Sequence, residues 1–137
     1  MSSSSSCLST GGQIIDLLEE GLATTASGAT GPYPYAYGLR YDVDLNSFTV
    51  SNVEVNPRVE GKWKEIDEAA TYTVVTNGFL AAGNDGYVTA NILEKEFTDK
   101  SDTQAFIDFV REVCLVKDLP LKIYSTKSIT GGPQCSA

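Results

Sequence analysis

The run from Thr76 to Tyr87, TNGFLAAGNDGY, holds the side chains best placed for chemistry. Gly83 and Gly86 bracket Asn84 and Asp85, so the backbone can turn tightly and approach a ligand closely. Phe79 stands at the start of that turn, where an aromatic ring can serve as a platform for a flat ligand, and the Asp85 carboxylate six residues later can accept bonds from hydroxyls. On pattern alone a second reading stays open, in which Phe79 is a core residue and Asn84-Asp85-Gly86 is only a turn sequence.

Other residue types narrow the chemistry. The chain contains no histidine, so Ser-His-Asp and Cys-His devices and His-bearing zinc or dinuclear metal sites are excluded from these 137 residues. No metal site and no catalytic residue is expected. Cys7, Cys114 and Cys135 are widely spaced and odd in number, which fits no zinc pattern and leaves at least one thiol unpaired. Cys114 falls on the apolar stripe of a predicted helix and reads as a small core residue.

Lys and Arg number 10 against 18 Asp and Glu, a formal charge of −8 whose field opposes nucleic acid polymers and anionic lipid. No apolar run approaches the ~20 residues that span a bilayer, and the first residues lack the basic start and apolar middle of a signal peptide. A hydrophobic fraction of 42% with 20% charged residues is that of a chain able to bury a core.

The elements that must position the glycine loop follow from patterning. Residues 1–8 read as a disordered Ser-rich head, and residues 9–126 as one partial domain. Thr10 with Gln13 forms a capping box opening a helix over about 12–26, with Ile14, Leu17, Leu18 and Leu22 on one face. Residues 26–34, ASGATGPYP, are loop. Tyr37, Leu39, Tyr41 and Val43 then alternate as a half-buried strand, Asn46 and Ser47 turn, and 48–55 returns as a second strand with a bulge near Ser51 and Asn52. The polar connection 56–70 carries Trp63, expected to cover one edge of the core. Thr71–Thr76, TYTVVT, reads as a buried central strand feeding the loop.

Ser101 with Gln104 caps a further helix whose stripe is Phe106, Ile107, Phe109, Val110 and Val113. Leu121–Tyr124 reads as a last short strand, and 127–137 as a flexible tail. This order gives an α+β fold, a mixed or antiparallel sheet with helices packed on it.

The run Thr71 to Tyr87, TYTVVTNGFLAAGNDGY, is similar over its whole length to the signature of the 5'-nucleotidase C-terminal domain. Thr10–Ala23, TGGQIIDLLEEGLA, Gly38–Leu45, GLRYDVDL, and Val50–Val55, VSNVEV, match the same family in the same order, so the resemblance covers about residues 8–90. It implies a substrate-recognition domain of a hydrolase family active in nucleotide catabolism, in which two aromatic rings clamp the base and an Asp of the glycine loop receives the ribose hydroxyls. Carried onto this sequence, one ring is Phe79 and the acceptor Asp85, with Gly83, Asn84 and Gly86 supplying loop backbone. The first ring falls at Tyr33 in GPYPYAYG, where the family usually has Phe, with Tyr35 a substitute.

The resemblance further implies an upstream part with arginine and asparagine contacts to phosphate and base. Before that stands a metallophosphoesterase half whose His and Asp ligands hold a divalent dinuclear metal. On this reading the chain is an N-terminally truncated family member, with a nucleoside or nucleotide as ligand and a separate metallophosphoesterase domain as a possible partner. Family members are usually secreted, periplasmic or at the cell surface. The rival readings are a non-catalytic nucleoside-binding module and a degenerate domain kept for structure or interaction.

Overall fold

Thr10 stops one strand and starts one helix, and the rest of the chain is arranged around that junction. Its hydroxyl accepts from the Gln13 amide at 3.2 Å while the Gln13 side chain accepts from the Thr10 amide at 2.9 Å, a reciprocal capping box. The computed structural model describes residues 3–132. The strand is β1, Ser3–Thr10, and the helix α1, Gly11–Thr25.

After α1 come β2 (Leu39–Asp44), β3 (Thr49–Val55), the two-residue β4 (Lys64–Glu65) and β5 (Thr71–Asn77). The glycine loop lies between two short helices, α2 (Gly78–Ala81) and α3 (Val88–Ile92). β6 (Glu94–Ser101), α4 (Asp102–Val113) and β7 (Thr126–Thr130) complete the order. The strands make two sheets. One is antiparallel, β5-β1-β6, and the other is β4-β3-β2-β7, mixed because β7 runs parallel to β2. The fold is α+β, as the patterning predicts.

Helix α1 lies between the sheets. Ile14, Leu18 and Leu22, spaced four apart, bury against Tyr41 and Val43 of β2, Val53 of β3 and Ile66. Leu17, on the neighbouring face, packs on a smaller cluster of Cys7, Ala81 and Leu93 beside the antiparallel sheet. Burial pushes the Cys7 thiol up from its ordinary range, so it is a packing residue rather than a nucleophile. Tyr41 and Val43 alternate inward as the strand pattern requires. The bulge appears where expected: Arg40 pairs with Glu54 but Asp42 with Ser51, which leaves an extra residue on β3, and Asn52 takes a positive φ of 49°. Arg40 donates to Glu54 at 2.8 Å and stacks over Trp63 at 4.4 Å, so Trp63 covers the outer side of this hairpin.

Five expectations are corrected. Residues 3–8, expected to be a disordered head, belong to the central strand β1, paired on both sides. Serine is polar but small, and Ser5, Cys7 and Ser9, alternating along β1, are all buried. The Ser5 and Ser9 hydroxyls have no hydrogen-bond partner among the described residues. Because β1 takes the centre, β5 is an edge strand and not the central one.

Leu121–Ile123 is a 3-10 turn following Pro120, and the last strand lies later, at Thr126–Thr130, within the segment expected to be a tail. Residues 133–137, with Cys135, lie outside the described residues. The α4 stripe forms on a helix capped by Ser101, yet none of its residues is buried, and Cys114 is exposed. Cys114 stands just past the helix, as its C-cap, at a φ of 60°.

Leu22 is 0% exposed, so Leu22→Ala should cost about 2–5 kcal/mol of unfolding free energy in urea melts. Thr10→Ala, which removes half the capping box, should cost only about 1 kcal/mol. A Leu22→Ala loss no greater than that of Thr10→Ala would contradict the placement of α1.

Candidate functional site

The glycine loop begins with a cap. Asn77 ends β5 and its side chain accepts from the Leu80 amide at 2.9 Å, which starts α2 one residue later. Phe79 is therefore carried on the first turn of a helix at the end of a strand, and its ring is 48% exposed. The Asn84 side chain donates to the Phe79 carbonyl at 2.9 Å, which folds the loop back upon the helix. Asp85 sits exposed at the tip with a φ of 56°, between Gly83 and Gly86, which also have positive φ. Phe79, Asn84 and Asp85 thus share one turn.

The loop stands on α1. Thr24 donates to the Asp85 carbonyl at 3.1 Å, and the Glu20 carboxylate accepts from the Thr89 amide and, at 2.6 Å, from its hydroxyl. A side chain at Gly86 would collide with the Thr24 hydroxyl, so glycine is required there by space as well as by φ. The tip is braced at both ends by the last turns of one buried helix.

The aromatic segment before β2 reaches the loop through Tyr87. Its hydroxyl donates to the Pro32 carbonyl at 2.6 Å, passing so close over α1 that a Cβ at Gly21 would strike it. Prolines 32 and 34 offer no N–H, and both of their carbonyls accept from tyrosine: Pro32 from Tyr87 and Pro34 from Tyr41, at 2.5 Å. Burial, then the nearby charges of Asp85 and Glu20, push the Tyr87 hydroxyl up to about 12. Burial likewise raises the Tyr41 hydroxyl well above its ordinary value.

Tyr33 follows Pro32 directly, but its contacts lie with the main core cluster and Thr126 rather than with Phe79 or Asp85. Its ring is half-buried against the main core cluster, and its hydroxyl bonds the Thr126 hydroxyl at 2.5 Å. Tyr35 lies 4.8 Å away, ring to ring, tilted by 52°, and is 82% exposed. The more accessible aromatic face at this place is therefore that of Tyr35. Sequence reasoning named Phe79, Tyr33 and Asp85 but missed Tyr87, Glu20 and Thr24. One signal was available: Gly21 in mid-helix costs about 1 kcal/mol against Ala and called for a packing reason.

Among the described residues no group of three His, Cys, Asp or Glu side chains is placed to hold a metal ion. With no histidine in the chain, the residues do not fit a His-bearing dinuclear metal.

The family described as 5'-nucleotidase, C-terminal domain, matches residues 6–91. The chain is 31% identical over 110 residues to the probable 5'-nucleotidase of Treponema pallidum and 30% identical over 113 residues to the NAD 5'-nucleotidase of Haemophilus influenzae. Each alignment covers 74% of this chain but only 18% and 19% of those proteins. The solved structure of a 5'-nucleotidase precursor from Thermus thermophilus superposes with a TM-score of 0.83 at 28% identity, over 96% of this chain and 26% of that one. The Haemophilus influenzae NAD nucleotidase gives a TM-score of 0.82 at 22% identity. The protein is thus a 5'-nucleotidase-type α+β domain with its glycine loop braced on a central helix. The chain belongs to the 5'-nucleotidase C-terminal domain family and spans about a fifth of the length of the curated relatives it matches.

Tyr87→Phe should cost about 0.5–1.5 kcal/mol near neutral pH by removing the bond to Pro32. The folded-state value is raised above the ordinary 10.0, so the Tyr87 contribution is complete below about pH 10 and is lost as the pH rises through about 12. Chemical denaturation across this range should show the stability gap between wild type and Tyr87→Phe closing. A gap that stays constant would mean that the hydroxyl is not buried in the bond described.

Proposed function

We propose that this domain recognises the base and ribose of a nucleoside or nucleotide and does not itself hydrolyse the phosphate ester. The observation that carries the reading is the pairing, in one short turn, of a half-exposed Phe79 ring with the exposed Asp85 carboxylate, on the run through which the chain resembles its family. The names of the relatives, NAD 5'-nucleotidase among them, agree with a nucleotide ligand.

Phe79 supplies one stacking face and Asp85 accepts from the ribose hydroxyls. Gly83, Asn84 and Gly86 set the loop backbone that presents Asp85. The second ring is Tyr33 by its place in the family pattern, with Tyr35 beside it offering the freer face. Such a site orders a ligand without activating water or a leaving group. Hydrolysis would need a metallophosphoesterase domain, which the composition of this chain does not provide.

Stacking on one aromatic is worth about 1–3 kcal/mol by alanine substitution, and two rings with one carboxylate must offset the lost freedom of the ligand. A dissociation constant on the order of millimolar follows. In NMR titrations adenosine and AMP should shift the amides from Gly78 to Gly86 alike, with Phe79→Ala removing the shifts and Asp85→Asn weakening them. Comparing Tyr33→Ala with Tyr35→Ala identifies the second ring. Inorganic phosphate acting on the loop while adenosine does not would defeat the reading.

Incubation with AMP and added divalent metals should release no phosphate. Release that tracks this chain through purification and disappears in Asp85→Asn would show catalysis where none is proposed.

A further inference from the structure

Lys95 directs its charge at main chain. Its Nζ donates to the Ala81 carbonyl at 2.6 Å and to the Asn91 carbonyl at 3.2 Å. Among the described residues it makes no ion pair, although the chain carries 18 Asp and Glu. Ala81 is the last residue of α2 and Asn91 lies in the last turn of α3, so one ammonium bonds the carbonyl ends of both short helices that flank the glycine loop. Carbonyls at a helix end have no partner within their own helix, and lysine is one of the side chains that can bond them. Helices as short as these have little cooperativity with which to hold themselves.

The ammonium is itself held from behind. Lys95 stands on β6 opposite Cys7 of β1, and β1 is paired on both sides. Ala81 is 1% exposed and packs with the same Cys7 and with Leu93. Each helix bonded by Lys95 bears on one member of the recognition pair. α2 carries Phe79 on its first turn. α3 bears on Asp85 through Gly83: a Cβ at Gly83 would lie 3.0 Å from the Asn91 Cβ, so the loop backbone rests on the residue whose carbonyl Lys95 holds. Thr24 and Glu20 tie Asp85 and α3 to α1, but neither bonds α2.

We infer that Lys95 is a positioning residue, which sets the spacing of the Phe79 ring and the Asp85 carboxylate without touching the ligand. Its consequence for binding rests on the nucleoside reading above, whereas the link from Lys95 to the loop is present without any ligand. A ligand that must meet ring and carboxylate together binds in proportion to how well the two are held at one spacing. A neutral side chain of similar length would fill the same volume but leave the two carbonyls without their shared donor, and α2 and α3 would then move independently.

The test compares the isotope-labelled full chain with Lys95→Met and Lys95→Arg. Without ligand, hydrogen exchange at Ala82, Gly83, Tyr87 and Val88, whose amides bond within the loop and its flanking helices, should be about tenfold faster or more in Lys95→Met, while the Leu18 and Leu22 amides of α1 keep their wild-type rates. Lys95→Arg still offers several donors and should restore most of the protection. In NMR titrations Lys95→Met should weaken adenosine and AMP by the same factor, about tenfold. Asn91→Ala, at an exposed position, leaves Lys95 in place and removes the support beneath Gly83. It should speed exchange at Gly83 and Tyr87 but not at Ala82, which keeps the inference open to refutation even if Lys95→Met does not fold. Loop exchange in Lys95→Met equal to wild type, or raised equally in α1, would overturn the inference. So would a loss of affinity confined to AMP, because the ammonium would then be contacting phosphate. Wild type that binds neither adenosine nor AMP defeats the nucleoside reading instead, and Lys95 then stands or falls on the exchange rates.

Discussion

The burial of α1 between two sheets is the constraint from which the other placements follow. A helix that packs on one sheet needs a single apolar stripe, but α1 uses two adjoining ones, Ile14-Leu18-Leu22 toward the mixed sheet and Leu17 toward the antiparallel sheet. That leaves only a narrow polar side, and Glu20 and Thr24 on it are spent on the glycine loop rather than on solvent. Rotation of the helix by one residue would unmake the core and the loop brace together, so fold and site share one set of contacts.

Tyr87 ties the glycine loop to the aromatic segment before β2. It belongs to the loop, crosses α1 at Gly21 and ends on the carbonyl of Pro32, the residue before the Tyr33–Tyr35 aromatic pair. The donor-poor sequence Pro-Tyr-Pro-Tyr cannot pair with a strand through its prolines, yet its carbonyls still need partners. Tyrosine hydroxyls arriving from the loop and from β2 supply them. An irregular segment is thereby fixed in place without secondary structure of its own, as ligand-facing loops on rigid scaffolds commonly are.

The distribution of charge around the sheets gives the domain unequal edges. Glu54 accepts from both Arg40 and Lys127, and these bonds hold its carboxyl below the ordinary range while tying β2, β3 and β7 together. The mixed sheet is therefore closed off by ion pairs on its outer side. The antiparallel sheet carries charge on β6 and none on β5.

The local sequence by itself determined the elements whose signals are periodic or stereochemical. The Thr10–Gln13 capping box, the apolar face of α1, the inward alternation of Tyr41 and Val43, the bulge at Asn52 and the glycine turn around Asp85 all depend on neighbours within a few residues. Family membership was legible for the same reason, since the signature run is continuous. Tertiary structure decided the rest. Whether a serine-rich run is a solvated head or the central strand of a sheet depends on partners that lie from about sixty to about a hundred residues away, and no local pattern carries that pairing. The α4 stripe has the helical period of a buried face yet meets no partner among the described residues, because periodicity records what a helix could bury and only the packing records what it does. The bond from Tyr87 to Pro32 joins residues 55 apart across a helix, and a contact of that kind exists only once the chain is folded.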